Sequence, residues 1–333
     1  RACVIYGGLP PETRSRQAQL FNKENSGYDV LIASDAIGMG LNLNIKRVIF
    51  TTMSKFDGVE MRTLEAAETR QIAGRAGRYG LNYADMGIVT TVKKEDNAVL
   101  AKALAGDLEP LTQAGLAPSL EQVEAYCELC PDAGLVAALE ALSKSAKLAS
   151  HFRMRDMEDS IAVAKLLEKL PIALADHFLF SIAPVDVRDP MVFKAMMEFA
   201  KKFCTHGRVG LRLISLPPAR TPVTPLELQK LESAHKCLDL YLWLARRLPN
   251  SFPEEELADA YRTATATAIS AGLQYLSMLA QKRASAKAER KGKAPTKNAP
   301  TPVNDVLSSN AVQDAFVAVE RATKEVEDER ERA

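Results

Sequence analysis

The sequence is poor in cysteine and histidine, with five and four of them among its 333 residues. An odd and sparse set of cysteines argues against a disulfide framework and is typical of a reducing compartment. Cys127 and Cys130 form a lone Cys-x-x-Cys pair without the two further ligands of a zinc site, so we interpret both as ordinary thiols. No metal site is therefore predicted.

Long apolar runs and an excess of one charge are also missing. No run reaches about 18 apolar residues, the length that a transmembrane helix needs, so we expect no membrane span. The formal net charge is +1, so local basic patches rather than a global field would have to hold a nucleic acid. The chain opens at Arg1 just before the apolar stretch 2–6, so we expect a strand already under way and further residues before it, including any targeting segment.

Short apolar segments alternate with helical patterns over residues 1–98, which predicts an α/β domain with a parallel sheet and flanking helices. The strands are expected at 3–6, 30–34, 48–52 and 87–92, and the helices at 13–22 and 63–78. A helical period dominates from residue 99 onward. We therefore predict an α/β domain (1–98), two helical blocks (99–216 and 217–280), a basic low-complexity linker (281–302) and a charged tail able to form a helix (303–333).

The most specific motif is the segment from Gln71 to Arg78, Gln-Ile-Ala-Gly-Arg-Ala-Gly-Arg. On a helix over 63–78, Gln71, Arg75 and Arg78 would share one face. Arginine forks suit the oxygens of a polyphosphate and stabilise charge on a phosphoryl group in transfer. Gly74 and Gly77 each cost a helix about 1 kcal/mol relative to alanine, which is better tolerated where a ligand approaches the backbone. A solvated basic helix face is the alternative.

A second motif follows the strand predicted at 30–34. Ser34, Asp35 and a turn containing Gly38 and Gly40 come at the carboxyl end of that strand, where ligands bind in open α/β sheets. Taken alone, the pattern fits an ordinary strand-to-helix turn with an aspartate cap at least as well.

Together, the two motifs resemble motifs V and VI of superfamily two helicases in order and spacing. The opening segment 6–10, followed by Arg14, Arg16 and Phe21, resembles the motif IV–IVa region. Residues 33–43 are similar to motif V of the mitochondrial degradosome RNA helicases of the DExH type. Residues 178–199 and 231–244 resemble the two C-terminal blocks of that family, so the resemblance covers about residues 3–280.

The resemblance implies a second RecA-like motor domain followed by a mainly α-helical C-terminal region. It implies an ATP-dependent RNA helicase that uses Mg²⁺ and moves 3′-to-5′ on single-stranded or 3′-tailed RNA. It further implies an exoribonuclease partner and a location in the mitochondrial matrix. The chain has no Gly-x-Gly-Lys-Thr loop and no Asp-Glu-x-His box. We therefore expect the Mg²⁺ ligands in a first motor domain outside this chain, and no ATPase activity from residues 1–333 alone.

The resemblance also implies roles for individual residues. Gln71, Arg75 and Arg78 would contact the ATP phosphates, with Arg75 or Arg78 as the arginine finger. The nucleotide would also lie near Gly40 and Asn42. RNA would contact Ser34, Asp35 and Gly8. Ser34 stands where the family usually has threonine, and the hydroxyl is retained.

Two other functions stay open at this point. The protein could be a non-catalytic scaffold that uses its helical extension to bind partners. The presence of Gln71, Arg75 and Arg78 argues against this alternative, because a protein that does not hydrolyse ATP has no physical need for them. A DNA helicase would carry the same two motor motifs. Activity on RNA and DNA strands of the same sequence distinguishes that alternative from an RNA helicase.

Overall fold

The computed structural model describes residues 1–57, 60–77, 87–108 and 110–290, except for the side chains of 284–290. These residues form two compact units. The first combines the described residues up to 108 with 220–232 and those from 266 onward. The second contains residues 110–219 and 233–265.

The first unit carries the α/β elements. In chain order they are β1 (Ala2–Ile5), α1 (Pro11–Asn22), β2 (Val30–Ala33), a 3-10 helix (Asp35–Gly38), β3 (Arg47–Phe50), β4 (Ser54–Phe56), β5 (Met61–Thr63), α2 (Ala66–Ala73), β6 (Ile88–Thr91) and α3 (Asp96–Ala105). Strands β1 and β2 pair in parallel, as do β3 and β6, whereas β4 and β5 form an antiparallel hairpin. The predicted α/β class, with parallel strands joined through helices, is confirmed.

The helix predicted at 63–78 is wrong at both ends. Residues 61–63 belong to β5, and a capping box between Glu65 and Glu68 begins α2. The helix ends at Ala73, and Gly77 adopts a left-handed φ of 62° while its N–H donates to the Ile45 carbonyl at 2.9 Å. Two glycines that a helix tolerates poorly therefore end it. Arg75 lies beyond the helix, so it does not share a helix face with Gln71.

Segments of two C-terminal helices complete the core of the first unit. These helices are α9 (Pro225–Ala245) and α10 (Glu255–Arg290). Leu9 packs in one cluster with Leu231 and Ile269. The Thr13 hydroxyl donates to the Ala266 carbonyl at 3.2 Å in the buried interior. Residues distant in sequence from the range 1–98 thus belong to the same packed core.

The second unit is mainly helical, as predicted. Its elements are β7 (Ala114–Leu116), α4 (Leu120–Leu129), α5 (Leu135–Ser145), β8 (Phe152–Met154), α6 (Glu158–Leu167), α7 (Leu174–Ser181), α8 (Pro190–His206), a 3-10 helix (Leu211–Leu213) and parts of α9 and α10. Phe199, Tyr241 and Phe252 meet edge-on in its core, with ring centroids 5.3 to 5.9 Å apart. All five cysteines are free.

The last helix reaches into the segment expected to be a linker. Helix α10 extends to Arg290, so residues 281–290 are helical. Alanine, lysine, arginine and glutamate fill this stretch and are strong helix formers. Within the described ranges, no helix is both long and apolar enough to cross a bilayer.

Candidate nucleotide and RNA site

The residues predicted to face RNA follow two neighbouring parallel strands. Ile5 of β1 lies opposite Ala33 of β2, and the Ser34 N–H donates to the Ile5 carbonyl at 3.0 Å. The turns that hold Gly8 and Ser34 therefore leave the same edge of the β1–β2 ladder. Gly8 is exposed, and a Cβ on it would lie 3.7 Å from a Glu232 carboxylate oxygen.

The segment from Ser34 to Asn42, which we call the motif V loop, has a defined local structure. The Ser34 hydroxyl accepts a bond from the Ala36 N–H at 3.2 Å and caps the 3-10 helix. Gly40 has a φ of 76°, a left-handed conformation that favours glycine. The Asn42 carbonyl accepts a bond from the Asn22 amide at 2.8 Å, which ties the loop to the end of α1.

Helix α2 and the turn after it pack against this loop. The Arg75 guanidinium donates to the Leu41 carbonyl at 2.9 Å and also to the Gly38 carbonyl. A Cβ on Gly38 would lie 3.4 Å from the Gln71 side chain, so only a small residue leaves Gln71 in place. The structure therefore brings Gln71 and Arg75 together with the loop that holds Gly40 and Asn42. Arg78 lies outside the described residues.

A charged network joins the other end of the motif V loop to α2. The Lys55 ammonium, on β4, lies 3.2 Å from an Asp35 oxygen and 2.5 Å from a Glu68 oxygen. Arg62, on β5, donates two bonds to the Glu68 carboxylate at 2.8 and 2.9 Å. These bonds from Arg62, with help from Lys55, lower the pKa of Glu68 to about 2 against burial. The bond that Lys55 donates to Glu68, together with the one to Asp35, raises the pKa of Lys55.

Sequence reasoning missed the hairpin with its two cations, Lys55 and Arg62, and their partner Glu68 on α2. One signal was present, because Asp57-Gly58 is a strong hairpin turn sequence. The contacts themselves join residues that are distant in sequence, and no local pattern reveals them.

Metal ligands do not gather near this site. Within the described part of the chain, no group of three or more His, Cys, Asp or Glu side chains is placed to hold an ion. A Mg²⁺ ion bound with ATP would therefore find no cluster of three or more such ligands among the described residues.

Three family descriptions match successive parts of the chain. Residues 1–80 match the "Helicase conserved C-terminal domain", residues 162–204 match the "Suv3 C-terminal domain 1", and residues 228–274 match the "ATP-dependent RNA helicase SUV3 C-terminal domain". The first match contains both motifs described above. The other two lie in the region where helices α6 to α10 follow.

Curated relatives agree with these matches. The chain is 45% identical over 261 residues to the mitochondrial DExH-box ATP-dependent RNA helicase DExH16 of Arabidopsis thaliana, covering 78% of this chain and 46% of the relative. It is 42% identical to the mitochondrial ATP-dependent RNA helicase SUV3 of Oryza sativa subsp. japonica, covering 78% and 45%. It is 34% identical to the mitochondrial ATP-dependent RNA helicase SUPV3L1 of Homo sapiens, covering 77% and 34%.

The chain spans less than half the length of these relatives. All three are named mitochondrial proteins, in agreement with the mitochondrial location expected from the sequence. The three matched regions follow each other along the chain in the order that the sequence resemblance implied, with the helicase domain first and the two C-terminal domains after it. The chain belongs to the SUV3-type family of superfamily two DExH helicases, as a C-terminal part.

Proposed function

We propose that the complete protein is an RNA-stimulated ATPase that unwinds RNA, and that this chain supplies its second motor domain and helical extension. The observation that carries the proposal is the bonding of Arg75 to the Gly38 and Leu41 carbonyls. This contact joins the motif proposed to bind nucleotide phosphates to the loop proposed to bind RNA. A motor needs such a physical connection between its two ligands.

The nucleotide would be held by donors on and after α2 and by the adjacent loop. In the structure the Arg75 guanidinium donates to the Leu41 and Gly38 carbonyls of the motif V loop, and the Gln71 side chain lies beside Gly38. Arg78 is then the residue proposed as the arginine finger, which stabilises charge on the transferring phosphoryl group. Gly40 and Asn42 would lie near the nucleotide. The ligands of the Mg²⁺ ion that accompanies ATP would belong to the first motor domain.

RNA would lie along the edge where β1 and β2 end. Ser34, Asp35 and Gly8 are proposed to face its sugar–phosphate chain, in a grip that is largely independent of sequence. The family relationship supports 3′-to-5′ unwinding of single-stranded or 3′-tailed RNA. It also supports a place in mitochondrial RNA turnover beside an exoribonuclease.

Hydrolysis by the full-length protein tests the proposal. Wild type and Arg78→Ala are compared without nucleic acid, with single-stranded RNA and with DNA of the same sequence. We expect stimulation by RNA, little by DNA, and a fall of about a thousandfold in the variant. The chain 1–333 by itself should not hydrolyse ATP. Equal stimulation by DNA would favour a DNA helicase, and a full-length protein without hydrolysis would favour a scaffold.

A further inference from the structure

Lys55 occupies an unusual position between the two motifs. It lies on the hairpin that the chain forms after the motif V loop and before α2. Its single ammonium contacts Asp35, at the start of the loop, and Glu68, in the first turn of α2. Lysine carries a compact charge with three donors on a flexible stem, so one ammonium can hold both carboxylates and can also release one of them.

The two partners of Lys55 differ in how firmly they are held. The Glu68 carboxylate also accepts two bonds from Arg62 and one from the Glu65 N–H at 3.0 Å. Its side chain is 23% exposed, whereas that of Asp35 is 54% exposed. Lys55 therefore has one fixed contact, on α2, and one open to ligands, on the motif V loop.

We infer that Lys55 is a positioning residue that transmits RNA binding at the motif V loop to helix α2. The inference rests on the proposed function. A phosphate that approaches Ser34 and Asp35 repels the Asp35 carboxylate and displaces it from the Lys55 ammonium. Lys55 then keeps only its contact with Glu68, so the force on the first turn of α2 changes.

A displacement of Glu68 is transmitted along α2 to Gln71, which is proposed to contact ATP. Glu68 and Gln71 are three residues apart on α2 and hence neighbours on one face. Gln71 packs against Gly38. A displacement at the first turn of this short helix therefore reaches the side chain proposed to contact ATP.

The ion pair between Lys55 and Asp35 is better suited to a contact that forms and breaks than to one that stabilises the fold. The Lys55–Asp35 pair adds little to folding stability, because the Asp35 side chain is 54% exposed and solvent screens it. Arg62 keeps Glu68 paired when the Lys55 charge is absent. Loss of the Lys55 charge should thus leave the fold intact. Loss of this charge should instead weaken the coupling between RNA binding and ATP hydrolysis. A coupling between two ligand sites typically corresponds to a factor of about 5 to 150.

The experiment uses the full-length protein and separates three quantities. They are basal ATP hydrolysis, maximal hydrolysis at saturating RNA, and RNA affinity by fluorescence anisotropy. For Lys55→Met we expect basal hydrolysis and RNA affinity like wild type, with the maximal stimulation reduced about fivefold or more. Lys94→Met, at an exposed lysine of the same unit, is the matched control and should behave like wild type.

Two further variants make the test specific. Lys55→Arg keeps the charge and should retain most of the stimulation. Glu68→Gln should reduce stimulation as Lys55→Met does, and the double variant should be no worse than either single one, because both act through one contact. Additive losses would overturn the inference.

The remaining outcomes are distinct. Full stimulation of Lys55→Met, with wild type stimulated, overturns the role of Lys55 and leaves the proposed function standing. Loss of RNA affinity in Lys55→Met makes Lys55 an RNA contact rather than a positioning residue. Absence of stimulation in wild type overturns the proposed function and the inference together.

Discussion

Arg75 is the residue whose contribution can be calculated most directly. Its guanidinium makes two hydrogen bonds to carbonyls of the motif V loop, at Leu41 and at Gly38. Hydrogen bonds from a charged donor contribute about 1.5–3 kcal/mol each. Because Arg75 is only part-buried, the lower value applies, so Arg75→Ala should cost the ordered loop about 3 kcal/mol.

If the ordered loop is required for hydrolysis, this loss appears in the rate. Each 1.36 kcal/mol corresponds to a factor of ten, so kcat/KM for ATP should fall about a hundredfold in Arg75→Ala. Arg75→Lys can replace one of the two bonds and should lose about tenfold. The assay is steady-state ATP hydrolysis by the full-length protein at saturating RNA.

Arg70 provides a matched control on the same helix. Its guanidinium also donates to backbone carbonyls, those of Ala103, Leu104 and Gly106 at and just after the end of α3, and these bonds do not involve the motif V loop. At the same value for each bond, Arg70→Ala should lower the free energy of unfolding by about 3–4.5 kcal/mol while kcat/KM changes little. Equal kinetic losses in Arg70→Ala and Arg75→Ala would refute the reasoning, since stability alone would then explain both.

Three further predictions concern folding stability and the C-terminal tail. Ile269→Ala removes a fully buried side chain and should lower the free energy of unfolding in urea by about 2–5 kcal/mol, whereas Leu257→Ala, at a 44% exposed position, should change it by under about 0.5 kcal/mol. The depressed pKa of Glu68 means that its ionised form stabilises the fold above the ordinary value of 4.5. That contribution, seen as a higher Tm than in Glu68→Gln, should vanish as the pH falls toward about 2. Removal of residues 291–333 should leave RNA-stimulated hydrolysis unchanged, and a rise of about tenfold in the RNA concentration required would show that they contact phosphates.

Local chemistry made part of the fold predictable. The helix expected at 13–22 is α1, which ends at Asn22 and begins at Pro11, where the fixed φ of proline suits a first helical position. The apolar run 30–34 forms β2 as far as Ala33, and Ser34 caps the turn that follows. These features depend on neighbouring residues only, so hydrophobic pattern and capping preference are sufficient to predict them.

Features that depend on distant residues were not predictable. The extent of α2 was overestimated because the period of Gln71 and Arg75 fits a helix, whereas Gly77 is held in a turn by the Ile45 carbonyl. The bonds of Arg75 reach residues 34 and 37 positions earlier in the chain. The predicted nucleotide contacts of Gln71, Arg75 and Arg78, and the RNA contacts of Ser34, Asp35 and Gly8, stay predictions.

The size of α2 explains why its contacts matter for function. It has eight residues, whereas an isolated helix shorter than about 12–15 residues is marginal in water, so tertiary contacts must stabilise and orient it. Those contacts hold it to the motif V loop near both ends, through Lys55 with Glu68 at the start and through Arg75 after the end. A helix fixed in this way follows the loop when the loop moves. RNA binding that displaces Asp35 would therefore reorient the groups proposed to meet ATP without any change in the core beneath them.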